Sequence, residues 1–149
     1  MWLYPALGSG LGRVLNYASF TLTSLFGLLR AQKPDYIFVE SPPLFLSCPA
    51  YLAARIWRVP FIFNVSDLWP DAIVDGGFLK PGILFRWIAS LERWSYREAA
   101  CVSTVTEGIR KHLIREKAVP SDKILFLPNG VDTVLYQPQP SDTSLKKRL

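Results

Sequence analysis

Apolar and polar positions along the chain follow two different periods. Between residues 14 and 29, Val14, Leu15, Ala18, Leu22, Leu25, Phe26 and Leu29 fall on one helical stripe, with Asn16, Ser19, Thr21, Thr23 and Ser24 between them. That spacing predicts an amphipathic helix. The segment is uncharged and bracketed by Arg13 and Arg30. It is shorter and more polar than the ~20 apolar residues that span a bilayer, so it reads as a core or interfacial helix. Short apolar runs follow at residues 36–39, 61–65, 101–105 and 124–127, each predicting a buried strand. Helical patterns separate them at residues 45–57, 81–98 and 107–117. Pro81 suits a first helical turn, Pro49 is tolerable only near one, and Thr106 is a good N-cap. Leu84, Trp87, Ile88, Leu91 and Trp94 make an apolar face on the second of these helices. Strands alternating with helices and apolar throughout predict an α/β fold. Its sheet would be Rossmann-like and parallel, with helices on both faces. Residues 1–136 form the domain, and the Pro- and Gln-rich segment from Gln137 to Leu149 reads as a linker.

Composition narrows the class. Half of the 149 residues are hydrophobic and 13% are aromatic, which excludes a disordered chain. Cys48 and Cys101 are too few and too far apart for a disulfide framework, and the single His112 excludes a two-histidine metal motif. No secretory signal opens the chain, so a cytoplasmic location is expected. Net charge is +5, which favours anionic partners. From Met1 to Ser66 there are only two carboxylates, Asp35 and Glu40, against five basic residues. That half suits a lipid surface better than a duplex, and nucleic acid is not expected because the only dense basic cluster is Lys146-Lys147-Arg148.

Open parallel sheets place ligands beyond the carboxyl ends of their strands. Those ends read Glu40-Ser41, Ser66-Asp67, Thr106-Glu107 and Asn129-Gly130 with Asp132. Each residue alone could simply cap a helix or make a turn. Asp67-Leu68-Trp69-Pro70-Asp71 is the most individual segment: Asp67 could bind or deprotonate a sugar hydroxyl, and Trp69 could either face a sugar or fill the core. Ser41-Pro42-Pro43 is a stiff turn. Gly8-Ser9-Gly10-Leu11-Gly12 follows no strand, fails as a dinucleotide fingerprint and reads as a loop into the first helix. His112 reads as a solvated helical residue.

Together these segments resemble the N-terminal, acceptor-side half of a family-four glycosyltransferase of the GT-B superfamily. The subgroup most alike builds capsule, O-antigen or exopolysaccharide on a lipid carrier. The resemblance rests on Arg13-Val14-Leu15-Asn16-Tyr17 with Ser19-Phe20, Ser41-Pro42-Pro43-Leu44, and Val59-Pro60-Phe61 leading to Asp67-Leu68-Trp69-Pro70. It continues through Leu91-Glu92-Arg93 with Tyr96-Arg97, Val105-Thr106, and Lys123-Ile124 on to Pro128-Asn129-Gly130-Val131-Asp132. It implies transfer of a sugar from a nucleotide-sugar donor to a lipid-linked saccharide, without a metal or other cofactor, on the inner face of the cell membrane. Asp67 then matches a residue at the transferred sugar or acceptor and is the tentative catalytic group. Ser41, Pro42, Asp67, Trp69, Thr106 and Glu107 would bind acceptor, and Asn129, Gly130 and Asp132 would form a hinge near the nucleotide. Relative to the family the chain is expected to be truncated at both ends and inactive alone; a naturally short chain, a gene-prediction artefact and a split enzyme with its second half on a separate chain all fit the sequence. The competing expectation is a non-catalytic membrane-surface module for polyprenyl phosphates or a partner transferase. A nicotinamide oxidoreductase fragment is disfavoured by the failed glycine motif.

Overall fold

Strand-forming residues of high β propensity are laid down in four short runs, and in the computed structural model all four pair in parallel. The description covers residues 10–69, 71 and 82–137, with side chains from residue 15. Helix α1 (Gly10–Leu28) is followed by β1 (Ile37–Ser41), a 3₁₀ turn (Leu44–Leu46), α2 (Ser47–Trp57) and β2 (Phe61–Val65). Then come α3 (Ile83–Glu98), β3 (Cys101–Thr104), α4 (Glu107–Arg115), a second 3₁₀ turn (Ser121–Lys123) and β4 (Ile124–Phe126). The sheet order is β1-β2-β3-β4. Register aligns Val39 with Phe63, Phe63 with Val102 and Val102 with Ile124.

The expected α/β class and parallel sheet are what the structure has. Gly10 to Gly12, read from sequence as a loop, are instead the first residues of α1, while Gly8 and Ser9 lie outside the described residues. The same holds for Pro70, for Pro81 as a first-turn residue, and for the linker beyond Gln137. Pro49 occupies the first turn of α2, where no hydrogen bond to its nitrogen is lost.

The core gathers on one face of the sheet. Val39, Phe61, Phe63, Val65 and Val102 pack with Leu44, Ala50 and Ala54, with Tyr96 of α3 and with Leu113 of α4. Ser95 Oγ of α3 donates to Ser47 Oγ of α2 at 2.7 Å, and both residues are fully buried. Small hydroxyls let the two helices close on one another with no polar atom stranded. Helices flank the sheet as expected, and those that connect its strands pack toward this core. On the opposite face Phe38 and Leu125 are exposed, and Ile62 and Cys101 are only partly covered. Topology explains this: successive parallel crossovers that advance in one direction with one hand put every connecting helix on the same side.

Thr106 caps α4, and the Ile109 N–H donates to its Oγ1 at 3.1 Å. Thr106→Ala is expected to lower unfolding free energy by about 1 kcal/mol, read by urea titration. A loss below a few tenths would show that water replaces the cap.

Candidate functional site at the carboxyl edge of the sheet

Parallel pairing in register puts the last residues of the strands in one row. Ser41 pairs with Val65, Val65 with Thr104, and Thr104 with Phe126. The segments that leave this row therefore start from one edge: Pro42 after β1, Ser66 and Asp67 after β2, Val105 and Thr106 after β3, and Leu127 to Gly130 after β4. Backbone bonds continue the pairing past the strand ends, from Ser66 N to Ser41 O at 3.1 Å and from Leu127 N to Thr104 O at 2.9 Å.

Individual side chains differ in what they offer a ligand. Ser41 is buried, and the Ser41–Pro42 and Pro42–Pro43 peptides are both cis. Asp67 is exposed, and its Oδ1 accepts from the Leu68 N–H at 2.8 Å. That bond holds the carboxylate at the start of the loop and leaves Oδ2 available. Trp69 is partly buried against the core and meets the Phe45 ring edge-on, with centroids 5.9 Å apart. It packs as a structural aromatic while Asp67 beside it faces water. Thr106 and Glu107 are exposed at the N-terminus of α4, where Glu107 pairs with Arg110 at 3.2 Å. Asn129, Gly130 and Asp132 are exposed as well. Asp132 Oδ1 accepts from the N–H groups of Val134 and Leu135, which makes a tight turn of the outgoing chain.

Sequence reading missed how deep the polar character of this edge runs. Glu40, Asn64 and Ser103 are matched across β1, β2 and β3 by register, on the face away from the core. Ser103 Oγ donates to Asn64 Oδ1 at 2.7 Å, Asn64 Nδ2 donates to Ser66 Oγ at 3.2 Å, and Ser66 Oγ donates to Glu40 Oε1 at 2.5 Å. Ser103 and Asn64 are buried, whereas Glu40 is exposed. The chain of donors thus runs from the sheet interior to a surface carboxylate, which it holds in one orientation beside the loop bearing Asp67. Two oriented carboxylates beyond parallel strand ends can accept hydrogen bonds from the hydroxyls of a sugar. The sequence signal was present only as polar residues interrupting apolar strand runs.

A second polar cluster links α3 and α4, with Glu92 and Tyr96 buried and Asp71, His112 and Lys117 partly so. Glu92 Oε1 accepts from Tyr96 Oη at 2.8 Å, and Glu92 Oε2 accepts from Lys117 Nζ at 3.0 Å. Lys117 also pairs with Asp71 at 2.7 Å, and the same Asp71 oxygen is 3.3 Å from His112 Nε2. His112 is therefore partly buried at an acidic neighbour, not solvated as its position in the sequence implied. Burial pushes the Glu92 carboxyl above the ordinary carboxylate range, against the pull of Lys117 and the hydrogen bonds from Lys117 and Tyr96. Burial and the adjacent Glu92 raise the Tyr96 phenol strongly. Burial alone would lower Lys117, but Asp71 and Glu92 outweigh it and hold the ammonium above its usual range. This cluster ties α3 and α4 to each other and, through Asp71, to the segment that follows β2. Among the described residues no group of three or more His, Cys, Asp or Glu side chains could hold a metal ion.

Residues 1–130 match the family model described as a glycosyl transferase 4-like domain. No curated protein matches the chain.

Proposed function

Since the chain belongs to the glycosyl transferase 4-like family, we propose that the carboxyl edge of its sheet is where a sugar is handled during glycosyl transfer. The observation that carries this reading is the convergence of Asp67, Thr106 and the Glu40 hydrogen-bond chain on that one edge. Asp67 orients or deprotonates a reacting hydroxyl, and Glu40 fixes a second hydroxyl of the same ring. Ser41, Pro42, Thr106 and Glu107 line the acceptor approach, with Asn129, Gly130 and Asp132 placed toward the nucleotide. Trp69 acts from below by stiffening the loop of Asp67.

The donor in this reading is a nucleotide sugar, used without a metal. Support for that comes from the family alone. The acceptor is a lipid-linked saccharide of cell-surface polysaccharide assembly, presented at the inner face of the membrane. A net charge of +5 and a scarcity of carboxylates before Ser66 support an anionic, lipid-borne acceptor.

Amide chemical-shift mapping with a panel of saccharides and nucleotide sugars tests the site without requiring turnover. Perturbations are expected at residues 40–42, 66–68 and 105–107. Asp67→Ala should weaken the response about tenfold, as expected for a lost charge-assisted hydrogen bond. Perturbations confined to the opposite edge, or none with any ligand, would falsify the reading.

A further inference from the structure

At the opposite end of the sheet from the carboxyl edge, where β3 and β4 begin, lies a cavity of about 250 Å³. The last turns of α3 form one wall through Arg93 and Arg97, four positions apart and therefore on one helix face. The segment that follows α4 forms the other through Lys117, Val119 and Pro120, and Lys123 closes it just before β4. Half of the lining residues are Lys or Arg, and among the described residues no acidic side chain lines the cavity.

The four cations differ in how far they are already neutralised. Lys117 is taken up by Asp71 at 2.7 Å and Glu92 at 3.0 Å, and Arg97 Nε by Glu98 at 2.9 Å. Among the described residues, Arg93 and Lys123 have no carboxylate within 4.0 Å. Arg93 donates once, to Ser90 Oγ at 3.1 Å, and keeps most of its guanidinium donors. Lys123 Nζ donates to Arg97 O at 2.7 Å and keeps two. That bond covers a carbonyl at the end of α3 that would otherwise repel an anion. It also sets the ammonium one helical turn from Arg93, about 6 Å along the helix. A guanidinium fork for two oxygens, with an ammonium nearby for a third, is the donor set that a phosphate takes. The volume lies just below the ~300–1,000 Å³ of sites for drug-sized molecules. It admits a phosphate with a small organic group and is too small for a folded peptide segment or an oligosaccharide.

We propose that this cavity binds a phosphate-bearing small molecule. Arg93 and Lys123 hold the phosphate, and Val119 and Pro120 give its organic part an apolar wall. The site stands at the other end of the strands from Asp67, so it goes beyond the transfer reading and does not rest on it.

Amide chemical-shift titration of the chain at constant ionic strength tests the proposal, with inorganic phosphate, pyrophosphate and phenyl phosphate as probes. Saturable shifts are expected at residues 93–97 and 117–123 in the millimolar range, weakening as salt is raised. Tighter binding of phenyl phosphate would mark the ligand as an organic ester, and tighter binding of pyrophosphate as a diphosphate. Arg93→Ala and Lys123→Ala should each weaken the response about tenfold, and together abolish it. Arg55→Ala, at an exposed arginine of α2 that does not line the cavity, should leave it unchanged. Arg93 is exposed, so its replacement spares the fold even if loss of the Lys123 bond does not, and circular dichroism checks both. No saturable shift with any probe, shifts reproduced by chloride at the same ionic strength, or an affinity unchanged by Arg93→Ala overturns the proposal. Sugar handling is read at residues 40–42, 66–68 and 105–107, so failure of either assignment leaves the other standing.

Discussion

Replacing Lys117 by Ala is expected to cost about 3–5 kcal/mol of unfolding free energy at neutral pH, the usual consequence of removing one partner of a buried ion pair. Glu92 is 1% exposed, and it keeps only the Tyr96 hydroxyl once the ammonium 3.0 Å away is gone. A carboxylate so placed either remains charged in a medium that solvates it poorly or takes up a proton. The second course makes the loss dependent on pH. Burial already raises Glu92 in the folded state, so its contribution to stability is fullest below the ordinary carboxylate range and is lost as pH rises through the raised value. Without Lys117 that value rises further. The deficit of the variant should therefore shrink as pH is lowered and grow toward neutrality, in urea titrations run across the range. Glu92→Gln in the same background should flatten the dependence. A uniform deficit of less than about 1 kcal/mol would mean that water reaches the pair and screens it.

The second large effect is expected at Phe63. Phe63→Ala should lower unfolding free energy by about 3–5 kcal/mol, from lost burial and the cavity left behind. Phe63 is 1% exposed at the middle of β2 and meets the Tyr96 ring at a centroid distance of 5.9 Å. Any void would open against the helix that carries Glu92, so relaxation there is opposed by the buried pair. Phe38→Ala is the internal comparison, because Phe38 lies on the other face of the same sheet and is exposed. Its expected cost is below about 1 kcal/mol. Equal costs at the two positions would contradict a core confined to one face.

These two phenylalanines also show what could be read from the chain directly and what could not. Residues 61–65 were legible as a strand because five apolar or amide-bearing residues sit between Pro60 and the polar Ser66-Asp67 pair. Thr106 was legible as a cap because its hydroxyl precedes an amphipathic run. Which strand neighbours which, and hence which face is covered, was not legible. Phe38 and Phe63 look alike in a window of sequence, and only strand order assigns one to the core and one to the exterior. The carboxyl-edge residues Asp67, Thr106 and Asn129 followed from strand polarity alone. The Ser103–Asn64–Ser66–Glu40 chain did not, since it exists only when three strands fall into one register. Lys117 and Glu92 lie 25 positions apart and gave no local signal of being paired. The stripe on α1 was visible, but the exposure of Leu22 and Phe26 within it was a property of packing.

The strand order β1-β2-β3-β4 also bears on biosynthesis. Each strand needs only the one synthesised before it, so no partner has to be awaited from a later part of the chain. Residues emerging from the ribosome can add to the growing ladder vectorially, each crossover helix covering the hydrophobic side of its strand as it appears. Parallel sheets pair distant segments and fold slowly for that reason; here the separation between partners is kept close to the minimum a crossover permits. A nascent chain arrested once Thr104 has cleared the ribosomal exit tunnel would already hold β1 to β3 in their final order.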